Sequence, residues 1–225
     1  MKIAVIGSQC TGKTTFINDF IKRWSKYKIC EIQRYSELIK EKGLSVNENG
    51  NEESQKSILN SLVDQAVYTP KEFCTLFDRS VLDNLVYTMY LNTQNKVSDA
   101  FVRETMVIVK ETLSFYDILF FLPITKMSPV PFEEGTNRSN DSKYREAIDF
   151  IFKALYKQYC ENDTSYFPFD HDMGCPAIIE IFGDPEQRIE LAGMYVNEEG
   201  GPYTDEDTLI QIDGDDPEKP TLLEF

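Results

Sequence analysis

Eight consecutive residues, Gly7-Ser8-Gln9-Cys10-Thr11-Gly12-Lys13-Thr14, combine two glycines, a lysine and a hydroxyl at the spacing G-x-x-x-x-G-K-[ST]. Gly7 and Gly12 allow backbone angles and a close approach that side chains forbid. The N–H groups of such a loop, and of the helical turn that follows it through Thr15, point inward at a polyanion. Lys13 is then positioned to bridge β- and γ-phosphates, and the Thr14 hydroxyl to ligate Mg²⁺. A glycine turn that merely starts a helix has no need of the Lys-Thr pair. Cys10 has no His beside it to make it a nucleophile and fills the loop.

Three further sets of residues carry charge at suggestive places. Asp78-Arg79-Ser80 offers an aspartate that can hold a metal's water shell or take a proton from a hydroxyl, and an arginine that can pair with a phosphate. The same pair would also serve to cap the following helix. Glu31-x-x-Arg34 offers a general base and a phosphate partner, or a plain surface pair. Glu134-Gly135-Thr136-Asn137-Arg138 and Arg145 read as a charged loop, whose arginines would either lie in solvent or close over a transferring phosphoryl group.

These residues need elements to hold them. Residues 2–6 form a short apolar run, the pattern of a buried parallel strand. Phe16, Ile17, Phe20, Ile21 and Trp24 then share one helical face. Further strands are expected at Lys28–Ile32, Phe73–Phe77, Ile118–Leu122 and Ala177–Phe182. Between them lie helices at Tyr35–Glu41, Ser54–Ala66, Val81–Leu91, Ser98–Phe115 and Asp141–Tyr159. Alternating strands and helices imply an α/β fold, a three-layer α/β/α P-loop arrangement with a mostly parallel five-stranded sheet. In such sheets ligands bind beyond the carboxyl ends of the strands, where Glu31 and Asp78 fall. Residues 125–145 are broken by Pro129, Pro131 and Gly135 and read as a mobile lid. The body is expected over residues 1–196, followed by an acidic extension over 197–225 that is partly disordered or packs late on the body.

Composition narrows the classes. The chain has 225 residues and 38 Asp plus Glu against 23 Lys plus Arg, a net charge of −15. That balance argues against a general nucleic-acid binder, while leaving room for a small basic pocket. No apolar run approaches the roughly 20 residues a membrane helix needs. The start has no cleavable leader pattern, so a cytoplasmic location is expected. One His and five unclustered Cys exclude a multi-His zinc site and fit free thiols. His171 reads as a packed or solvent-facing side chain.

The order of phosphate loop, Glu-x-x-Arg, strand-end Asp-Arg and Gly-x-x-Arg…Arg loop resembles the nucleoside and nucleotide kinase branch of the P-loop proteins. It is most similar to the AAA_28-type group that includes nicotinamide riboside kinase domains. The Asp78-Arg79-Ser80 step also resembles thymidylate and deoxynucleoside kinases. The resemblance implies ATP and Mg²⁺ as cofactors, with Gly7 to Thr15 around the phosphates. It implies Glu31 and Asp78 as acceptor-side carboxylates, Arg34 and Arg79 as acceptor ligands, and Arg138 and Arg145 as lid arginines. It also implies that Asp184 and Pro185 flank adenine and that Gln55 reads a base. The acceptor would be a small nucleotide or nucleoside. Two acceptor-side arginines favour a monophosphate, because a neutral nucleoside would leave both cations unpaired. A kinase acting on a modified base or end in DNA, and a nucleotide-dependent switch without a small acceptor, stay open; so does a homodimer.

Overall fold

The computed structural model describes residues 1–32, 35–126, 142–165, 167, 169 and 174–203. Arg34, Arg138, His171, most of the expected lid and the acidic stretch from residue 204 lie outside the described residues. Five strands form one sheet: β1 (Lys2–Ile6), β2 (Lys28–Ile29), β3 (Thr75–Asp78), β4 (Ile118–Phe121) and β5 (Ala177–Glu180). Their order is β2-β3-β1-β4-β5, and every pair is parallel. Seven described helices connect them: α1 (Lys13–Arg23), α2 (Tyr35–Lys42), α3 (Glu52–Tyr68), α4 (Val81–Thr93), α5 (Asp99–Leu113), α6 (Ser142–Glu161) and α7 (Pro185–Gly193).

The period-2 geometry of β1 divides the core. Ile3 and Val5 face a layer containing Phe16, Phe20, Trp24 and Ala192 of α1, α7 and the turn after α1. Ala4 and Ile6 face the opposite layer, which holds α3 to α6 through Ile58, Leu85, Val109 and Phe152. The sheet is thus covered on both faces, and its central strand is apolar throughout except for Lys2. That ammonium donates to Ala66 O at 2.8 Å. Burial, and the charge of Lys71, pull its pKa below the usual lysine range.

β4 and β5 end one and two residues earlier than expected, at Phe121 and Glu180, and two other strands differ for reasons the structure shows. β2 stops at Ile29 rather than Ile32: one last bond, Cys30 N–H to Leu76 O at 2.9 Å, precedes an exposed Glu31. As the edge strand it has no second neighbour to prolong it. β3 begins at Thr75 rather than Phe73, because residues 70–73 make a turn closed by Phe73 N–H to Pro70 O, which leaves Phe73 61% exposed.

The end of the described chain packs on α1. Trp24 Nε1 donates to Asn197 O at 2.8 Å, Tyr27 OH donates to Gly200 O at 2.8 Å, and Arg23 pairs with Glu198. Gly200 is needed for this close fit, since a Cβ there would lie 2.7 Å from Lys26 Cε and 3.0 Å from the Tyr27 ring.

Candidate active site

The loop Gly7–Thr14 leaves the C-terminal end of β1 and enters α1. Gly7 has φ 137°, and a Cβ on it would sit 2.6 Å from the Leu122 carbonyl oxygen at the end of β4. No side chain fits there. Gly12, at φ 84°, is the residue from which α1 starts. Lys13 is 7% exposed, and its ammonium donates to Gly7 O at 2.9 Å and Ser8 O at 2.5 Å. It is curled into its own loop, where a polyphosphate would compete for it with a full charge against two carbonyl dipoles. Thr14 and Thr15 are exposed at the helix start.

Two arginines brace the loop from outside. Arg145, in the first turn of α6, donates from Nε to Gln9 O at 3.2 Å and from Nη2 to Cys10 O at 3.1 Å. In return Ser8 Oγ donates to Arg145 O at 3.0 Å. Arg188, on α7, is 5% exposed; it donates to Thr11 O at 2.8 Å and Gly183 O at 3.0 Å. Burial pulls its pKa down, with Asp184 opposing. It joins the loop to the Gly183-Asp184-Pro185 turn, where Asp184 and Gln187 cap α7 reciprocally. The sequence reading did not single out Arg188. No local motif marks it, because its partners are backbone carbonyls, one of them 177 residues away.

Asp78 ends β3 directly opposite Val5, exposed and at the carboxyl edge of the sheet. With Thr14 it offers the hard oxygen donors that Mg²⁺ takes. No cluster of three or more His, Cys, Asp or Glu occurs among the described residues.

Arg79 has φ 90°, a backbone conformation that costs a residue with a side chain about 1–3 kcal/mol. Its amide donates to Val5 O at 3.1 Å. Its guanidinium lies 5.5 Å from the centre of the Tyr87 ring, with Nη1 3.5 Å from the Tyr87 hydroxyl and 3.5 Å from Asp83 Oδ1. Asp83 is 1% exposed. It also accepts from Ser80 N–H at 2.9 Å and from Gly7 N–H at 3.4 Å. Burial pushes its pKa up, while Arg79, Lys13 and the two amides oppose that rise. Asp83 was missed from the sequence, although Ser80-x-x-Asp83 is a capping-box spacing that could have drawn attention to it.

Gln55, Arg79, Asp83, Asn84, Tyr87 and Asn47 line one narrow cleft with Ile58 and Leu62. It has room for about 10 Å³ in this conformation, on the order of one water. At its floor Asn84 Nδ2 donates to both Gln55 O (3.0 Å) and Gln55 Oε1 (2.9 Å). Two acceptors on one side fix the amide's orientation. Asn84 Oδ1 is thereby left buried, with no hydrogen-bond partner among the described residues. Gln55 is crowded from behind: a Cβ on Gly50 would stand 3.2 Å from its Nε2.

The structure therefore brings Gln55 and Arg79 together in one cleft, and Lys13 and Arg145 together in the loop. Glu31 lines a different, open cleft of about 710 Å³ beside the edge strand, with Lys28, Thr69 and Phe73. The argument from two unpaired acceptor-side cations loses one member, because Arg79 already has Asp83 and Tyr87 as partners. Arg34 and Arg138 lie outside the described residues.

A glycine loop between β1 and α1, inside an all-parallel sheet ordered 2-3-1-4-5, defines a P-loop α/β phosphate-binding fold. Residues 2–168 match the AAA_28 model, an AAA domain, and the chain belongs to that family. Among solved structures it is similar to a deoxyadenosine kinase from M. mycoides with bound dCMP and dCDP. The TM-score is 0.59 at 19% identity, over 85% of this chain and 96% of that one. It is also similar to NadR in complex with NAD and AMP-PNP, with a TM-score of 0.58 at 12% identity, over 90% of this chain and 50% of that one. At these identities the likeness defines the fold. No curated protein matches the chain by sequence.

Proposed function

We propose that the protein is an ATP-dependent kinase that moves the γ-phosphoryl group to a hydroxyl of a small nucleoside. The observation that carries this reading is a phosphate loop with a buried lysine, lying beside a narrow cleft, lined by paired amides and a neutralised arginine, that must widen to admit a base. Lys13 and the loop amides would hold the β- and γ-phosphates, with Thr14 at the metal. Mg²⁺, when bound, supplies neutralisation of phosphate charge. Asp184 and Pro185 lie at the turn tied to the loop through Arg188 and suit the adenine side. Asp78, exposed at the strand end, is the carboxylate best suited to orient the attacking hydroxyl and take its proton.

Arg79 favours one acceptor class over the other. Its charge is matched by Asp83 and its plane by Tyr87, so a neutral nucleoside strands no cation there. A monophosphate would have to draw Arg79 away from a carboxylate that is itself almost wholly buried. Asn84 bears on the choice of base. Its unpaired Oδ1 needs an N–H donor, which adenine and cytosine supply through their amino groups. Guanine offers an amino group and N1–H as well, whereas uracil and thymine offer only an N3–H between two oxo groups, so an amino-bearing base is favoured over those two. The kinase among the structural relatives is named for deoxyadenosine and was also solved with dATP and with dCTP, which accords with an amino-bearing base.

The test is ADP release with ATP and Mg²⁺ across nucleosides, their monophosphates and short DNA, with Lys13→Ala as control. Lys13-dependent turnover of adenine or cytosine nucleosides is expected. Turnover confined to monophosphates or to DNA would replace the acceptor assignment. ATP binding without acceptor-dependent turnover would sink the kinase reading.

A further inference from the structure

We propose that Asp83 and Tyr87 are positioning residues. Together they hold Arg79 in the one pose from which it meets the acceptor, and Asp83 locks that pose to the phosphate loop. The inference rests on the cleft around Gln55 and Arg79 being the acceptor side.

The argument starts from the backbone of Arg79. A left-handed residue with a long charged side chain persists only where its surroundings over-determine it. Here they do so on three sides. The Arg79 amide is bonded to β1 through Val5 O. Ser80, immediately after it, is fixed as the N-cap of α4. The guanidinium rests against Tyr87 and Asp83, which stand one turn apart on α4 and so face the same way. The Arg79 side chain is 18% exposed, so its charge is largely removed from water and needs that company.

Asp83 does more than neutralise. Oδ2 is occupied by the Ser80 amide at 2.9 Å. Oδ1 is shared, at 3.4 Å from Gly7 N and 3.5 Å from Arg79 Nη1. Gly7 is the first residue of the phosphate loop, and it packs so close to the end of β4 that no side chain fits between them. One oxygen therefore faces the phosphate loop and Arg79 at once, and the Arg79 fork is registered against the start of the loop. An arginine set loose by one bond length would lose much of its value to an in-line transfer.

The test is a double-mutant cycle with Asp83→Asn and Arg79→Ala. Asparagine keeps the shape and one acceptor oxygen for the backbone amides but removes the charge that holds Arg79. For the best nucleoside in the panel, Asp83→Asn is expected to lower kcat/KM about tenfold or more, with the KM for ATP within threefold. In the Arg79→Ala background the same change should cost less than twofold, because nothing remains to be positioned. Additive losses would mean that Asp83 acts only on stability and would overturn the proposal, as would an Asp83→Asn enzyme that works normally. A second readout needs no acceptor: the Arg79 Nε–Hε signal by ¹⁵N NMR, assigned by its loss in Arg79→Ala. It should be a distinct, slowly exchanging peak in the wild type and vanish in Asp83→Asn; persistence unchanged contradicts the proposal. If no nucleoside is turned over yet the signal behaves as expected, the acceptor reading fails and the positioning stands. Should Asp83→Asn not fold, Tyr87→Leu, which keeps Asp83 and removes the ring, takes its place in both measurements with the same expected outcomes.

Discussion

The two halves of the site are built on opposite plans. The phosphate half is made of backbone: contiguous residues, two glycines with φ above 80°, and a lysine lying on its own loop's carbonyls. The proposed acceptor half is made of side chains drawn from α3, α4 and the β3–α4 turn, from Gln55 to Tyr87. Backbone recognition suits a ligand feature that never varies, a polyphosphate. Side-chain recognition suits a feature that must be discriminated, a base. Asp83 is where the halves meet, bonded to Gly7 on one side and Arg79 on the other.

Changes in the backbone-built half should be the most damaging. Lys13→Ala is expected to cut turnover by roughly 10²–10³-fold, the scale seen when a preorganised charge partner of a transition state is lost. Gly7→Ala sharpens the point, since its effect is steric. A methyl group 2.6 Å from Leu122 O, at φ 137°, should lower stability by about 1–3 kcal/mol, read as a fall in Tm, and weaken ATP binding with it. If Gly7→Ala melts like the wild type, the loop is not locked against β4 as described.

Smaller, selective effects belong to the side-chain half and its braces. Asn84→Ala removes an acceptor worth about 1–3 kcal/mol, so kcat/KM for an adenine or cytosine nucleoside should fall about tenfold or more, with little change for uracil or thymine nucleosides. An equal fall for every base would show that Asn84 only supports Gln55. Arg188→Lys keeps the charge but cannot span Thr11 O and Gly183 O together, and should raise the KM for ATP several-fold while leaving the nucleoside KM alone. At the far end of the scale, Arg23→Ala breaks an exposed pair with Glu198 and should change stability by no more than about 0.5 kcal/mol.

Legibility in the sequence followed the same division. The loop could be read because its chemistry needs a fixed run of residue types, and the strands around it because buried parallel strands are continuous apolar runs. Edges are less readable: β2 and β5 read as too long and β3 as starting too early, since an apolar Ile32, Phe182 or Phe73 does not reveal where pairing with a neighbour stops or that the strand begins after a turn. Gln55 was reached by resemblance alone. Asp83, Asn84 and Arg188 were not reached, because each acts through partners distant in the chain: Gly7, Gln55 and Thr11. Arg79 was seen, but its partners were not, and with them hidden its charge pointed to a phosphate.

The central claim is that the backbone-built half delivers phosphate to a neutral nucleoside held in the side-chain half. The direct measurement is to incubate the protein with ATP, Mg²⁺ and an equimolar mixture of adenosine, cytidine, their deoxy forms and all four monophosphates, then identify products by mass spectrometry. The account predicts new monophosphates formed from the nucleosides, absent with Lys13→Ala. Diphosphates formed from the monophosphates, with the nucleosides untouched, would contradict it.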